Sequence, residues 1–152
     1  MATLKERLDS ELKDAMRAKD ELKLSVLRML KSAVKYKEVE GEAKVLDDSG
    51  VMTIVGTLIK QRRDSAAQFK DANRLDLAEK EEKEILVLQT YLPTQLTSEQ
   101  LAAAVKACID ESGAQSIKDL GMAMKLTSAR LKGQAEGKAI SEEVKAQLSR
   151  LT

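Results

Sequence analysis

The sequence predicts an all-α protein built as two helical domains, and three observations carry that reading. Charged residues make up 34% of the chain, yet it holds only seven glycines and one proline, a balance that favours helices joined by short turns. Apolar residues recur three and four apart along most of its length, the spacing of one helix face. The lone proline, Pro93, lies in the stretch 85–97, Ile85-Leu86-Val87-Leu88-Gln89-Thr90-Tyr91-Leu92-Pro93-Thr94-Gln95-Leu96-Thr97. Proline has no N–H and disfavours helical geometry in the residue before it, so a helix is expected to end near Tyr91 or Leu92. The expected division is a four-helix N-terminal domain over 1–92, a hinge at 93–97 and a three-helix C-terminal domain over 98–152.

The first helix starts at the capping box Thr3-Leu4-Lys5-Glu6 and carries Leu4, Leu8, Leu12 and Ala15 on one stripe. It should end near Ala18-Lys19, with Asp20 capping the next. The second helix, residues 21–40, places Leu24, Val26, Leu27, Met29, Leu30, Ala33 and Val34 on more than one face, which marks it as central. Residues 41–46 read as a loop. Asp47 caps a third helix to about residue 72, with Val55, Leu58, Ile59, Ala66 and Phe69 inward; Gly50 and Gly56 should fray its first turns. A fourth helix, 74–88, turns Leu75, Ala78, Ile85 and Leu88 inward, and its charge run 79–84 pairs glutamates with Lys80 and Lys83.

Beyond the hinge, Thr97 and Gln100 form a second capping box, and Leu101, Val105, Cys108 and Ile109 face the core until Gly113 closes the helix. Ser116 caps helix six, where Ile117, Leu120, Met124, Thr127 and Leu131 lie at helical spacing. Gly121 would permit another helix to approach closely, and Met122 and Met124 read as core filler. A glycine-punctuated turn, Gly133-Gln134-Ala135-Glu136-Gly137-Lys138, leads to a last helix capped by Ser141, with Ile140, Val144, Leu148 and Leu151 completing a second core.

Composition removes several classes of function. There is no histidine, so histidine triads, imidazole acid–base work and the usual zinc and haem sites are excluded. The single cysteine, Cys108, cannot form an internal disulfide and reads as a packing thiol; with no cysteine cluster, the chain is expected to be cytoplasmic. No apolar run is long enough to span a bilayer, residues 1–6 lack a signal-peptide core, and no membrane association is expected. No catalytic residue, metal ligand or cofactor is expected. The net charge of +1 offers no global field for nucleic acid, so any anion contact must come from a local stripe.

Three such stripes stand out. Lys60, Arg63, Lys70 and Arg74 recur three, seven and four residues apart, which places them on one side of a helix. Arg28, Lys31 and Lys35 form a second edge. Arg130, Lys132 and Lys138 surround the glycine turn, where a helix N-terminus beside cations suits a phosphate, although Glu142 and Glu143 would already occupy the positive end of that helix. The residues alone favour a structural reading of each: solvated, ion-paired faces for the first two and a structural turn for the third.

The chain resembles the YqeY family, stand-alone relatives of the C-terminal tail of the GatB component of the aspartyl/glutamyl-tRNA amidotransferase. Lys60-Gln61-Arg62-Arg63-Asp64-Ser65, continuing through Phe69 to Arg74-Leu75-Asp76-Leu77, is similar to the family's K-Q-R-x-[DE]-S and R-x-D-L segments. Glu84-Ile85 to Leu96 resembles its Y-L-P-x-Q-L hinge, and Asp119-Leu120-Gly121 with Gly133 to Gly137 its D-[ML]-G helix and G-x-A-D-G turn. Gln134 stands where a basic residue is common, and Glu136 replaces the usual Asp. The resemblance implies a four-plus-three helix architecture and an association with tRNA, as in the similar tails of the amidotransferase and of some glutaminyl-tRNA synthetases. The chemistry of a carbon–nitrogen ligase with glutamine as amido donor resides in other domains of those enzymes. Three readings follow: a tRNA-binding accessory module making weak backbone contacts, with an aminoacyl-tRNA synthetase or amidotransferase as protein partner; a protein–protein adaptor using a groove between the two helical domains; and, least supported by the residues, an independent amidotransferase.

Overall fold

The computed structural model describes residues 3–40 and 45–151. Seven α-helices account for most of them: α1 (Leu4–Ala18), α2 (Glu21–Val39), α3 (Asp48–Asp71), α4 (Leu75–Gln89), α5 (Ser98–Ser112), α6 (Leu120–Arg130) and α7 (Gly137–Arg150), with a single 3₁₀ turn at Ile117–Asp119. There is no strand among the described residues, so the fold class is all-α. Contacts gather the chain into two compact units, Met1–Leu92 and Pro93–Thr152.

Local signals set most of the helix ends. The Thr3, Asp20 and Asp47 side chains accept from the N–H groups of Glu6, Lys23 and Gly50, satisfying donors that have no partner within a helix. Leu4 N–H is met from outside its own helix, by Asp48 Oδ1 at 2.9 Å. Lys19 closes α1 in the left-handed region at φ 56. Helix α3 is already helical at Gly50 and Gly56, so the fraying expected there does not occur. The loop expected at 41–46 lies largely outside the described residues, which resume at Val45.

In the first unit, Leu8, Leu12, Ala15, Val26, Leu27, Leu30, Val34, Val51, Val55, Leu58, Ile59, Ile85, Leu88 and Tyr91 form one buried cluster. Helix α2 supplies four buried side chains, as its apolar density predicts, but Met29 is half exposed. Phe69 is only partly buried and Leu75 is exposed, because both sit at the far end of the α3–α4 hairpin, away from the core. Helix α4 ends at Gln89, one residue past the expected span of 74–88 and short of the stop at Tyr91 or Leu92 that Pro93 suggests, and Thr90-Tyr91-Leu92 close it with turn bonds to Val87, Leu88 and Gln89. The Tyr91 ring returns to the core at 2% exposure, and its hydroxyl donates to Glu11 Oε2 at 3.0 Å. Arg7 lies over that ring at 4.4 Å and donates to Glu11 and to the Thr90 carbonyl at 2.8 and 2.7 Å.

In the second unit, Leu101, Val105, Ile109, Ala114, Ala123, Leu131, Ile140, Val144 and Leu148 form the core. The Thr97–Gln100 capping box is complete, both reciprocal bonds being present. Four expectations fail here. Ser116 caps the 3₁₀ turn, and α6 proper begins only at Leu120. A Cβ on Gly121 would meet nothing within 4 Å, so that glycine serves no close approach. Met122 and Leu151 are exposed. Helix α7 begins at Gly137, four residues before Ser141. Gly113 ends α5 at φ +78 with open space around it, so only backbone strain opposes a side chain there. Gly113→Ala should cost about 1–2 kcal/mol; a urea midpoint unchanged from wild type would contradict this.

Candidate functional site

Helix α3 positions the first basic stripe. Its inward positions, Val51, Val55, Leu58, Ile59 and Ala66, fix which side faces the core, and Lys60 and Arg63 are left exposed on the other. Lys60 makes no ion pair among the described residues. Lys70 is exposed farther along and is ion-paired to Glu82 of α4. Arg74 does not belong to the stripe. Helix α3 stops at Asp71, Asn73 turns the chain in the left-handed region at φ 59, and Arg74 flanks the start of α4. There it pairs with Asp76 at 3.4 Å and holds that carboxyl below the usual range, chiefly by hydrogen bonding. The helical spacing that grouped four cations runs through a turn.

Arg62, inside the same Lys-Gln-Arg-Arg segment, faces the opposite way. It is 6% exposed. Its Nε donates to Glu84 Oε2 at 2.9 Å, and its remaining nitrogens reach the Leu58 carbonyl at 3.3 Å and Met29 Sδ at 2.8 Å. The motif is therefore split between an exposed Lys60–Arg63 edge and a buried ion pair tying α3 to α4. Arg62 falls four residues after Leu58 and four before Ala66, so the apolar stripe itself carried the signal that it points inward.

The second edge divides as well. Lys31 turns toward α1 and donates to Asp9 Oδ1 at 2.8 Å. That hydrogen bond, helped by the charges of Lys31, Lys13 and Lys35, holds Asp9 below the usual carboxylate range. Lys5 bonds Glu38, and with the Leu46 N–H it lowers the Glu38 pKa. A cleft of about 240 Å³ between α1 and α2 thus has two of its three lysines, Lys5 and Lys31, engaged by carboxylates. Arg28 and Lys35 remain exposed and form no ion pair among the described residues.

The glycine turn of the second unit is held by the hinge. Gly133 takes φ 80. The Gly133 carbonyl accepts from Gln95 Nε2 at 2.7 Å, and the Gln134 carbonyl accepts from Leu96 N–H at 2.9 Å. Gln95 also donates to the Pro93 carbonyl. The hinge and turn motifs therefore meet through backbone carbonyls, a structural use of both. Arg130 makes a two-pronged ion pair with Glu111, which holds the Glu111 carboxyl below its usual range. Lys132 and Lys138 are exposed. Because α7 begins at Gly137, Glu142 and Glu143 sit in its second turn and not at its positive end. Among the described residues no three acidic or cysteine side chains gather as a metal site. Cys108 is buried on the inward face of α5.

These features define a small helical protein whose distinctive surfaces are exposed cations on α2 and α3. A family model described as Yqey-like protein matches residues 5–148, and the chain belongs to the YqeY family. Among curated proteins it is similar to Altered inheritance of mitochondria protein 41, mitochondrial. The Lachancea thermotolerans form is 41% identical over 103 residues, 68% of this chain and 52% of that protein. The Vanderwaltozyma polyspora form is 42% identical over 85 residues, 56% of this chain and 46% of that protein. A Saccharomyces cerevisiae form is 34% identical over 127 residues, 84% of this chain and 63% of that protein. The chain thus spans about half the length of the first two. Their names overturn the expectation of a cytoplasmic protein, since the matching relatives are mitochondrial. The residues behind that expectation do not discriminate: a lone buried thiol suits any compartment that keeps thiols reduced.

Proposed function

We propose that this chain is a tRNA-binding accessory module without catalytic activity of its own, acting through exposed cations of its first unit. The observation that supports this reading is the set Lys60, Arg28 and Lys35, which stay exposed and without ion pairs among the described residues, with Arg63 beside Lys60. Lys70 and Arg74 contribute less, each being matched by an acid. With so few contacts, affinity falls in the range of non-specific nucleic-acid binding, about 10⁻⁴–10⁻⁶ M at physiological salt. Weak binding suits a module joined to a catalytic body, where tethering raises effective concentration. A synthetase or amidotransferase would supply that body. The relatives are named as mitochondrial proteins, which makes organellar tRNA one probe to include.

The test is tRNA binding at low and moderate salt by wild type and Lys60→Glu/Arg63→Glu. Reversing two phosphate contacts should lower the slope of log K against log salt by about 1.8, at 0.9 per duplex phosphate, and weaken binding throughout. Absence of tRNA binding by the wild type at low salt rejects the reading. Equal slopes and affinities for the two proteins reject the α3 stripe as the contact.

A further inference from the structure

The outer face of α2 combines exposed cations with an exposed aromatic ring. Residues 22–37 contain no acid; Lys23, Lys31 and Lys37 meet Glu11, Asp9 and Glu40, while Arg28 and Lys35 form no ion pair among the described residues. The stretch 60–84 has cations too, but Asp64, Asp71, Asp76, Glu79, Glu81, Glu82 and Glu84 balance them. Helix α2 is anchored by Val26, Leu27, Leu30 and Val34. Its opposite side is therefore presented outward along Ser25, Arg28, Met29, Ser32, Lys35 and Tyr36.

Tyr36 is 70% exposed, although burying an aromatic ring is one of the larger gains available to a core. Side chains on a helix lean toward its N-terminus, over the preceding turn. For Tyr36 that turn is Ser32 and Ala33, too small to cover the ring. Arg28 and Lys35 lie about 10 Å apart along the axis at 1.5 Å per residue and occupy the edge beside the ring. Cations along a track with an open aromatic ring next to them are what unpaired nucleotides bind: phosphates meet the charges, and a base stacks on the ring. A membrane surface fits less well, because Ser25, Arg28, Ser32 and Lys35 interrupt the apolar positions and the continuous apolar side of α2 is already in the core.

We propose that the outer face of α2 seats a single-stranded segment of RNA, with Arg28 and Lys35 on its phosphates and an unpaired base stacked on Tyr36. This rests on the RNA-binding reading and refines it: the α3 stripe follows a duplex backbone, while α2 takes a loop or an end. Recognition is by stacking and charge, so every base is accepted.

The experiment uses a 12-nucleotide single-stranded oligoribonucleotide, intact tRNA and phosphatidylserine vesicles as probes. The chain has two tyrosines and no tryptophan, and Tyr91 is buried, so tyrosine emission that falls on adding oligoribonucleotide reports Tyr36. Wild type should show that quenching. Tyr36→Ala should lose about tenfold in oligoribonucleotide affinity, within the range for one stacked base, while Tyr36→Phe stays within about twofold. Arg28→Gln/Lys35→Gln should lower the salt slope by about 1.4, at 0.7 per single-strand phosphate. All three positions are exposed, and unchanged far-UV circular dichroism verifies folding. Wild-type tRNA binding that survives Tyr36→Ala and Arg28→Gln/Lys35→Gln but not Lys60→Glu/Arg63→Glu overturns this inference and leaves the broader function standing. No binding to either RNA removes both. Tyr36-dependent capture on the vesicles without RNA binding overturns it in favour of a lipid surface.

Discussion

Replacing Glu84 by alanine is expected to destabilise the first unit by about 3–5 kcal/mol, the usual penalty for stranding one partner of a buried ion pair. The Arg62 and Glu84 side chains are 7% and 12% exposed. Arg62 cannot shed its proton. Without Glu84 its guanidinium keeps only the Leu58 carbonyl and Met29 Sδ, neither of which offsets a full charge. Urea denaturation of wild type and Glu84→Ala measures the loss. A second variant tests the cause: Arg62→Met/Glu84→Leu removes both charges, keeps similar volume, and should recover most of the stability or exceed wild type. If the double variant is as unstable as Glu84→Ala, the pair acts through geometry that apolar packing cannot replace. If Glu84→Ala loses less than about 1 kcal/mol, the pair is no better than a surface one. RNA binding at Lys60 and Arg63 should be unaffected in the double variant, because those side chains point away from the pair.

Signals acting over three or four residues were legible in the sequence. The caps at Thr3, Asp20, Asp47 and Thr97 and the stop at Gly113 depend on neighbours along the chain and stand as expected, except that the Thr3 box shows only the Thr3 half, without the Glu6 return bond. The apolar faces of α1, α3 and α5 were legible for the same reason. Features decided by a partner far along the chain were harder. Periodicity marks Met29, Leu75, Met122 and Leu151 as apolar, but whether each meets a neighbour depends on where another helix ends. The apolar stripe of α3 marks Arg62 as inward, but its partner Glu84, twenty-two residues later, is not legible from spacing. The stripe ending in Arg74 fails because its spacing assumes a helix through Asn73, a residue type that readily takes left-handed geometry and so ends helices; that signal was present in the sequence. The early start of α7 was not: Ser141 is the better local cap, but the hinge fixes Gly133 and Gln134 and thereby sets where the chain re-enters a helix. Tyr36 fits neither the core pattern nor the charge pattern when these are read separately, and its place beside Arg28 and Lys35 emerges only when both are laid on one helix.

Tyr91 should make the stability of the first unit fall at alkaline pH. Burial, and then the charge and hydrogen bond of Glu11, push its phenol well above the ordinary value of 10, against a smaller opposing pull from Arg7. The folded state therefore keeps a proton that the unfolded chain releases from about pH 10 upward. A group raised in this way contributes its full stability below the unfolded pKa and loses it as pH rises through the folded one. Between those limits, stability drops by up to about 1.4 kcal/mol per pH unit. At neutral pH, Tyr91→Phe should cost about 1.5–3 kcal/mol, the range for a hydrogen bond to a charged group; Glu11 retains Arg7 and Lys23 as partners, which favours the lower end. Above about pH 10 the variant has no phenol to titrate, so its deficit against wild type should shrink steadily. Lysines lose charge over the same range in both proteins, and taking the difference between the two curves cancels them. Parallel curves from about pH 8 to 11 would mean that the Tyr91 proton is not held by the fold, and that the Arg7–Glu11–Tyr91 cluster does not close the end of α4 as described.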